Sequence, residues 1–481
     1  MNFTSIEFLL FFPVILLLYW LLPGRMRWIL LLFASCLFYM SQNPWMVFLL
    51  LGNIVVSYGA ALRIACEEKA SARRMWLAAG VVIPLLCLGI FKYTGFFVSG
   101  GVRLLQYFGW NGEAFAVNIV LPVGISFYTF QTLSYVLDVY RGRVLPERHF
   151  GYYALFVSFF PQLVAGPIER PERLLPQLRA EHRPDQEDFR QGVWQILRGF
   201  FKKLTVADVL AKVVDPVFAT PKLASGPAVI LATVCFALQI YCDFSGYSDI
   251  ACGTARLMGI RLIQNFDHPY RAGNIRDFWR RWHISLTDWF SDYVYKPLGG
   301  SRAGIAANVR NILLVFLLSG LWHGANWNFV VWGGIHGLYQ AAGILYRRFH
   351  PSGSDGGVVL RGIRQLRTFA LVCFAWIFFR SDSLGDALLL IKSLFMRWDL
   401  KGLASVGALA EWHFLTAAQV FSALLSFWLL EQMPEELSFV SSAREMVRRC
   451  FMLFLFVLTI SFSWFALFSA TGENAFLYFQ F

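Results

Sequence analysis

The sequence predicts an all-α, polytopic membrane protein, and three observations carry that prediction. The 481 residues are 57% hydrophobic and only 15% charged, against roughly 25% charged in an average soluble chain. A soluble core cannot hide so much apolar surface, whereas lipid accepts it. The apolar residues also gather into runs, some long enough to cross a bilayer's hydrocarbon core, which takes about 20 residues. Last, the charge excess of +12, from 42 basic and 30 acidic residues, fits basic cytoplasmic loops lying against anionic lipid.

The runs fall at about 7–22, 28–40, 45–62, 76–94, 119–137, 152–165, 226–242, 312–346, 367–379, 384–396, 414–430 and 450–470. Several are shorter than ~18 residues, so tilted, paired or re-entrant segments are expected among roughly 10–12 membrane segments. Pro13, Pro84 and Pro122 are expected to kink or break their runs. The amino terminus lacks the basic n-region of a secretory signal and a small-residue cleavage site, so Phe8 to Leu22 reads as a retained span. Arg25 and Arg27 follow the first run, Arg63, Lys69, Arg73 and Arg74 the third, and Arg141, Arg143 and Arg148 the fifth, while 41–44 is uncharged. That alternation places the amino terminus outside and the basic loops inside.

Two polar stretches interrupt the runs. The first, 166–208, carries an amphipathic pattern (Val193, Ile196, Leu197, Phe200) followed by Lys202 and Lys203. A cytoplasmic interfacial helix and a solvated loop are equally compatible with it. The second, 264–311, interleaves tryptophan and arginine in Asp277-Phe278-Trp279-Arg280-Arg281-Trp282-His283. That mixture suits an interfacial or re-entrant segment, with rings at head-group depth and Arg/Asp pairs neutralising each other. With no repeat and no low-complexity linker, a single membrane domain over 1–481 is expected. The Pro-Ser-Gly-Ser-Asp-Gly-Gly loop at 351–357 is the best candidate for a seam, without marking a clear domain boundary.

Some chemistries are disfavoured. No basic run with interleaved aromatics resembles a nucleic-acid module, so nucleic acid is not an expected partner. The eight cysteines, Cys36, Cys66, Cys87, Cys235, Cys242, Cys252, Cys373 and Cys450, are scattered without a C-x-x-C pair, and read as small core residues. No H-E-x-x-H occurs and no carboxylate lies between Gly304 and Arg348, so no metal is expected. No G-x-S-x-G elbow is present for a serine triad.

Of eight histidines, His149, His182, His350 and His413 lie in or beside polar connections, and His268 precedes a proline in a turn. His323 is different: it sits inside the long apolar run from Ile312 to about Tyr346, where an ionisable group is costly and functional by default. If that run is one helix, His336 lies about 220° away from it, and Asn326 and Trp327 share its face. A neutral imidazole there can take a proton from an attacking hydroxyl and hand it to a leaving group. A structural histidine bridging helices is the bland alternative. His336, beside Gly333, Gly334 and Gly337, suits that filling role at a close crossing. His283, near Asp288 and Asp292, is as compatible with a carboxylate-paired interfacial histidine as with a catalytic one.

The block Asp277-Phe278-Trp279-Arg280-Arg281-Trp282-His283-Ile284-Ser285-Leu286, with Pro297-Leu298-Gly299-Gly300-Ser301-Arg302, resembles the membrane-bound O-acyltransferase family. So do Trp322-His323-Gly324, Trp327, Trp332-Gly333 and His336-Gly337. The chain is similar in particular to the bacterial alginate O-acetyltransferase branch. Supporting blocks are Tyr128 to Tyr135, Pro161 to Ile168, Tyr241 to Asp249 and the aromatic ending Tyr478-Phe479-Gln480-Phe481.

The resemblance implies a fold of tilted and re-entrant helices around a central tunnel in a bacterial inner membrane. It implies His323 as the catalytic histidine and His283 as the second functional position, held by histidine or asparagine in different branches. Trp322, Asn326, Arg280 and Arg281 are the residues expected to contact substrate, the two arginines through the phosphates of the donor. The expected donor is acetyl-CoA or another cytoplasmic acyl thioester, with no resident cofactor. The expected partners are a periplasmic acetyltransferase of the SGNH type or the exopolysaccharide machinery, docked at Phe476 to Phe481. Three rivals stand beside this reading: a teichoic acid D-alanyl transferase, a transporter, which would show paired repeats, and a non-enzymatic export scaffold.

Overall fold

The computed structural model describes residues 1–110, 119–302, 304–349, 357–398 and 414–432. The aromatic ending at 473–481, the apolar run at 450–470, the loop at 351–356, His350, His413 and Cys450 lie outside the described residues. The architecture is all-α: among the described residues the only β pairing is one isolated bridge, Phe266 to Trp282. Among the described residues, five helices are long and apolar enough to cross a membrane. The chain is thus an all-α, multi-pass membrane protein, and its residues gather into two compact units.

The first unit comprises Met1–Val193 and Ala251–Ile263. Its helices are α1 (Ile6–Leu21), α2 (Gly24–Met40), α3 (Met46–Cys66), α4 (Ala70–Tyr107), α5 (Ile125–Tyr140), α6 (Phe150–Ser158), α7 (Phe160–Leu163) and α8 (Pro171–Arg179). Pro13 and Pro84 stay inside α1 and α4, whereas Pro122 precedes the start of α5 and breaks its run. Exposed Ile6, Leu10, Leu17 and Leu21 on α1 form the kind of apolar face that lipid covers. The core is built on α5, whose residues from Ile125 to Val136 are buried. Two of its buried polar side chains are bonded to neighbouring helices: Thr132 donates to Asn53 Oδ1 at 3.0 Å and Gln131 to the Phe156 carbonyl at 2.6 Å. Pairing of this kind is the condition for burying them. The block at 128–135 is therefore a packing block.

The second unit comprises Trp194–Ile250 and the chain from Gln264 onward. Here α9 (Gln186–Phe201), whose residues up to Val193 belong to the first unit, runs into a π-turn, Lys202–Ala207, and α10 (Asp208–Ala219). Then come α11 (Gly226–Leu257), the short α12 (Ile275–Arg281) and α13 (Ile284–Phe290), α14 (Ile305–His323), α15 (Trp327–Phe349), α16 (Val358–Arg380), α17 (Leu384–Met396) and α18 (Phe414–Gln432).

Lys202 and Lys203 do not follow the interfacial pattern that their neighbours suggest. Both are buried: Lys203 bridges Asp243 and Asp208 at 2.8 Å each, and Lys202 meets Asp249 at 2.7 Å. Their partners on α11 lie 40 and 47 residues away, beyond any local pattern. Removing one member of a buried ion pair strands the other. Lys203→Met is accordingly expected to destabilise the protein by about 3–5 kcal/mol, read as a lowered melting temperature in detergent. An unchanged melting temperature would mean that the network contributes nothing.

The tryptophans of 264–311 also depart from expectation. Trp279, Trp282 and Trp289 are buried, packed among rings of the second unit rather than turned outward. Arg281 does pair with acids as expected, with Asp277 at 3.0 Å and Asp267 at 3.2 Å.

Candidate active site

The apolar run from Ile312 to Tyr346 is not one helix. It is a hairpin, α14 then α15, broken at 324–326. Gly324 is extended, and a Cβ there would lie 2.1 Å from the Phe329 ring. Gly320 and Gly333 bring the two helices together: a Cβ on either would stand 2.1 or 2.2 Å from a carbonyl oxygen of the other helix, Phe329 O or Phe316 O. Only glycine permits that approach, as in small-residue crossings of membrane helices.

The hairpin sets His323 at the last position of α14, 5% exposed. Its ring lies 5.0 Å from Trp322, 5.0 Å from Trp332 and 5.4 Å from Phe379. His336 is brought to the same cluster, 5.1 Å from Trp332; the 220° separation holds only for an unbroken helix. Trp279 Nε1 donates to His336 Nδ1 at 3.2 Å, so this histidine is tied into the aromatic core. Asn326 and Trp327 do not share a helical face with His323, because the helix has ended. Asn326 donates to the Asp382 carbonyl at 3.1 Å, and Trp327 is exposed.

His283 lies between α12 and α13 and is fully buried. Its ring lies 4.7 Å from Phe244 of α11 and 6.1 Å from Trp322. Burial pushes its pKa down to about 3, so it is a neutral imidazole at any cellular pH. Trp322 therefore touches both candidate histidines, which stand 40 positions apart in the chain.

A cavity of about 360 Å³ opens beside this cluster. Asn308, Ile312, Val315, Phe316 and Ser319 of α14 line it, one helical face about 16 Å long at 1.5 Å per residue. The next positions on that face are Trp322 and His323. Arg276 and Arg280 of α12 and Arg347 of α15 also line it, and no acidic residue does. Arg347 is near enough to Arg276 and Arg280 to feel both charges. Arg280 thus stands at the cavity; Arg281, held by Asp277 and Asp267, does not line it. Sequence reasoning passed over Arg276, Arg347 and Phe379, and had Phe244 and Trp332 only as members of the resemblance blocks. Only the i,i+4 spacing of Arg276 and Arg280 offered a local signal.

The family model described as "MBOAT, membrane-bound O-acyltransferase family" matches residues 145–352, a stretch containing both histidines and the cavity. A protein of Pseudomonas aeruginosa named "Probable alginate O-acetylase AlgI" is 39% identical over 435 residues, 89% of this chain and 81% of its own. The peptidoglycan O-acetyltransferase of Helicobacter pylori is 34% identical over 81% of this chain and 79% of its own. The teichoic acid D-alanyltransferase of Streptococcus thermophilus is 29% identical over 47% of this chain and 57% of its own.

Proposed function

The chain belongs to the membrane-bound O-acyltransferase family and is an O-acyltransferase; from that premise we propose that it passes acetyl groups from a cytoplasmic thioester donor across the inner membrane, for O-acetylation of an exported polysaccharide. The observation that carries the reading is the sharing of Trp322 by two buried imidazoles, at the end of a helix face that lines an arginine-rimmed cavity.

The donor is acetyl-CoA or another acyl thioester, its phosphates held by Arg276, Arg280 and Arg347 and its acyl arm laid along α14 towards His323. His323 is the general base: it takes the proton of an acceptor hydroxyl as the oxygen bonds to the acyl carbon. The carbon–sulfur bond breaks and the leaving thiolate receives that proton. Products are an O-acyl ester and the free thiol, so charge and protons balance. His283, neutral, donates an N–H to the carbonyl oxygen as negative charge develops there. The acceptor is a serine of a periplasmic SGNH-type acetyltransferase, which then acetylates the polymer. The D-alanyl relatives share less of the chain, which favours the polysaccharide branch.

The test uses purified protein in lipid vesicles with labelled acetyl-CoA. Label should leave the donor only when the acceptor is present, and Arg280→Ala or Arg347→Ala should raise KM for acetyl-CoA about tenfold with kcat little changed. A KM indifferent to both arginines would remove the cavity from the donor site.

A further inference from the structure

His283 occupies the N-cap position of α13 with a left-handed backbone, φ +46° and ψ +55°. That conformation is disfavoured for a residue bearing a side chain, and it persists only where the surroundings over-determine it. An N-cap side chain ordinarily turns back to accept from an N–H of the first turn. His283 makes no such capping bond.

A residue 20 positions before Ser285 supplies the cap. Asn265, 1% exposed, accepts from Ile284 N through its carbonyl at 2.9 Å. Its side-chain Oδ1 accepts from Ser285 N at 3.2 Å and from Ser285 Oγ at 2.7 Å. On the other side of the histidine, Asp267 N donates to the Arg281 carbonyl at 3.0 Å, and Phe266 bridges to Trp282. The extended segment 265–267 therefore grips the backbone both before and after His283.

We propose that Asn265 is a positioning residue for the acyl transfer: by capping α13 in place of His283, it holds the left-handed turn and keeps the imidazole against Phe244 and Trp322. The proposal rests on the reading of His283 as the donor to the acyl oxygen. With alanine at 265 the main-chain carbonyl still holds Ile284 N, but Ser285 N and Oγ lose the side-chain oxygen that accepts from them. His283 is the residue placed to replace it, and in doing so its ring leaves the reacting oxygen. The side chain works only as an acceptor, through Oδ1; its Nδ2 makes no hydrogen bond among the described residues. Aspartate is therefore a sufficient substitute, and alanine is not.

Acetyl transfer per folded molecule is measured in vesicles for N265A, N265D, S285A and H283A, and for N265A and S285A each combined with H283A. In N265A, kcat should fall about 100-fold, the scale of an ångström-sized misplacement, while KM for acetyl-CoA stays within about threefold because the arginines that hold the donor lie on α12 and α15, not on α13. N265D should keep transfer within about tenfold of the parent. S285A, which loses only the hydroxyl arm and needs no refolding of the turn, should lose about threefold to tenfold. Neither change should add to the loss in H283A, because residues acting through one group are not additive. N265D falling as far as N265A, or losses that multiply with H283A, would overturn the role of Asn265. Where N265A does not accumulate in the membrane, the S285A pair decides alone. Full activity in H283A would instead sink the reading of His283.

Discussion

Replacing His323 with alanine is expected to lower acetyl transfer about 100- to 10,000-fold, the range that general acid–base groups supply. The protein should still reach the membrane in normal amounts. The hairpin that carries His323 is closed by Gly320 and Gly333 rather than by the imidazole, and the ring's neighbours remain packed on other residues, Trp322 on His283, Trp332 on Trp376 and Phe379 on Phe329. His323→Gln sharpens the test. Glutamine fills the same space and hydrogen-bonds, but its amide cannot take a proton at neutral pH, so it should be as inactive as alanine. Labelled acetyl transfer per folded molecule measures both. Polymer acetylation undiminished in either variant would end the proposed mechanism.

The second large effect concerns the hairpin itself. A Cβ at Gly333 stands 2.2 Å from the Phe316 carbonyl oxygen, and a backbone atom cannot rotate away as a side chain can. Gly333→Val must push α14 and α15 apart, at a cost at or above the about 1–3 kcal/mol usual for overpacking. Trp332 and His323 move with them, so activity should be lost along with several degrees of melting temperature. The adjacent Gly334 is the internal control. Its Cβ would meet nothing nearer than Leu317 Cδ2 at 3.7 Å, ordinary contact, so Gly334→Ala should melt with the parent. Equal melting temperatures for all three proteins would show that the close crossing carries no load.

The fold class was legible because it rests on composition, which lipid alone accommodates. His323 and His283 were legible as members of distinctive blocks, but their neighbours were not. The break at 324–326 hides in hydropathy, since the run stays apolar through it; only Gly324 and Asn326 hint that a helix stops there. The tryptophans beside Arg280 and Arg281 look interfacial in a linear string, because nothing local reveals that α11, α15 and α16 supply rings to cover them. Lys202 and Lys203 read as surface lysines for the same reason: Asp243 and Asp249 reach them only through the fold. Arg281 and Arg280 are neighbours in sequence, yet one is held by two carboxylates and the other lines the cavity.

The left-handed turn at His283 also bears on how this position can vary. A φ of +46° is cheap for glycine and tolerated by asparagine, aspartate and histidine. Glycine brings no side chain to the acyl oxygen, and an ionised aspartate repels it. That leaves histidine and asparagine, the two residues that the family resemblance allows here. Their codons differ by a single first base, so a lineage can cross from one to the other in one mutation without passing through a residue that the backbone refuses.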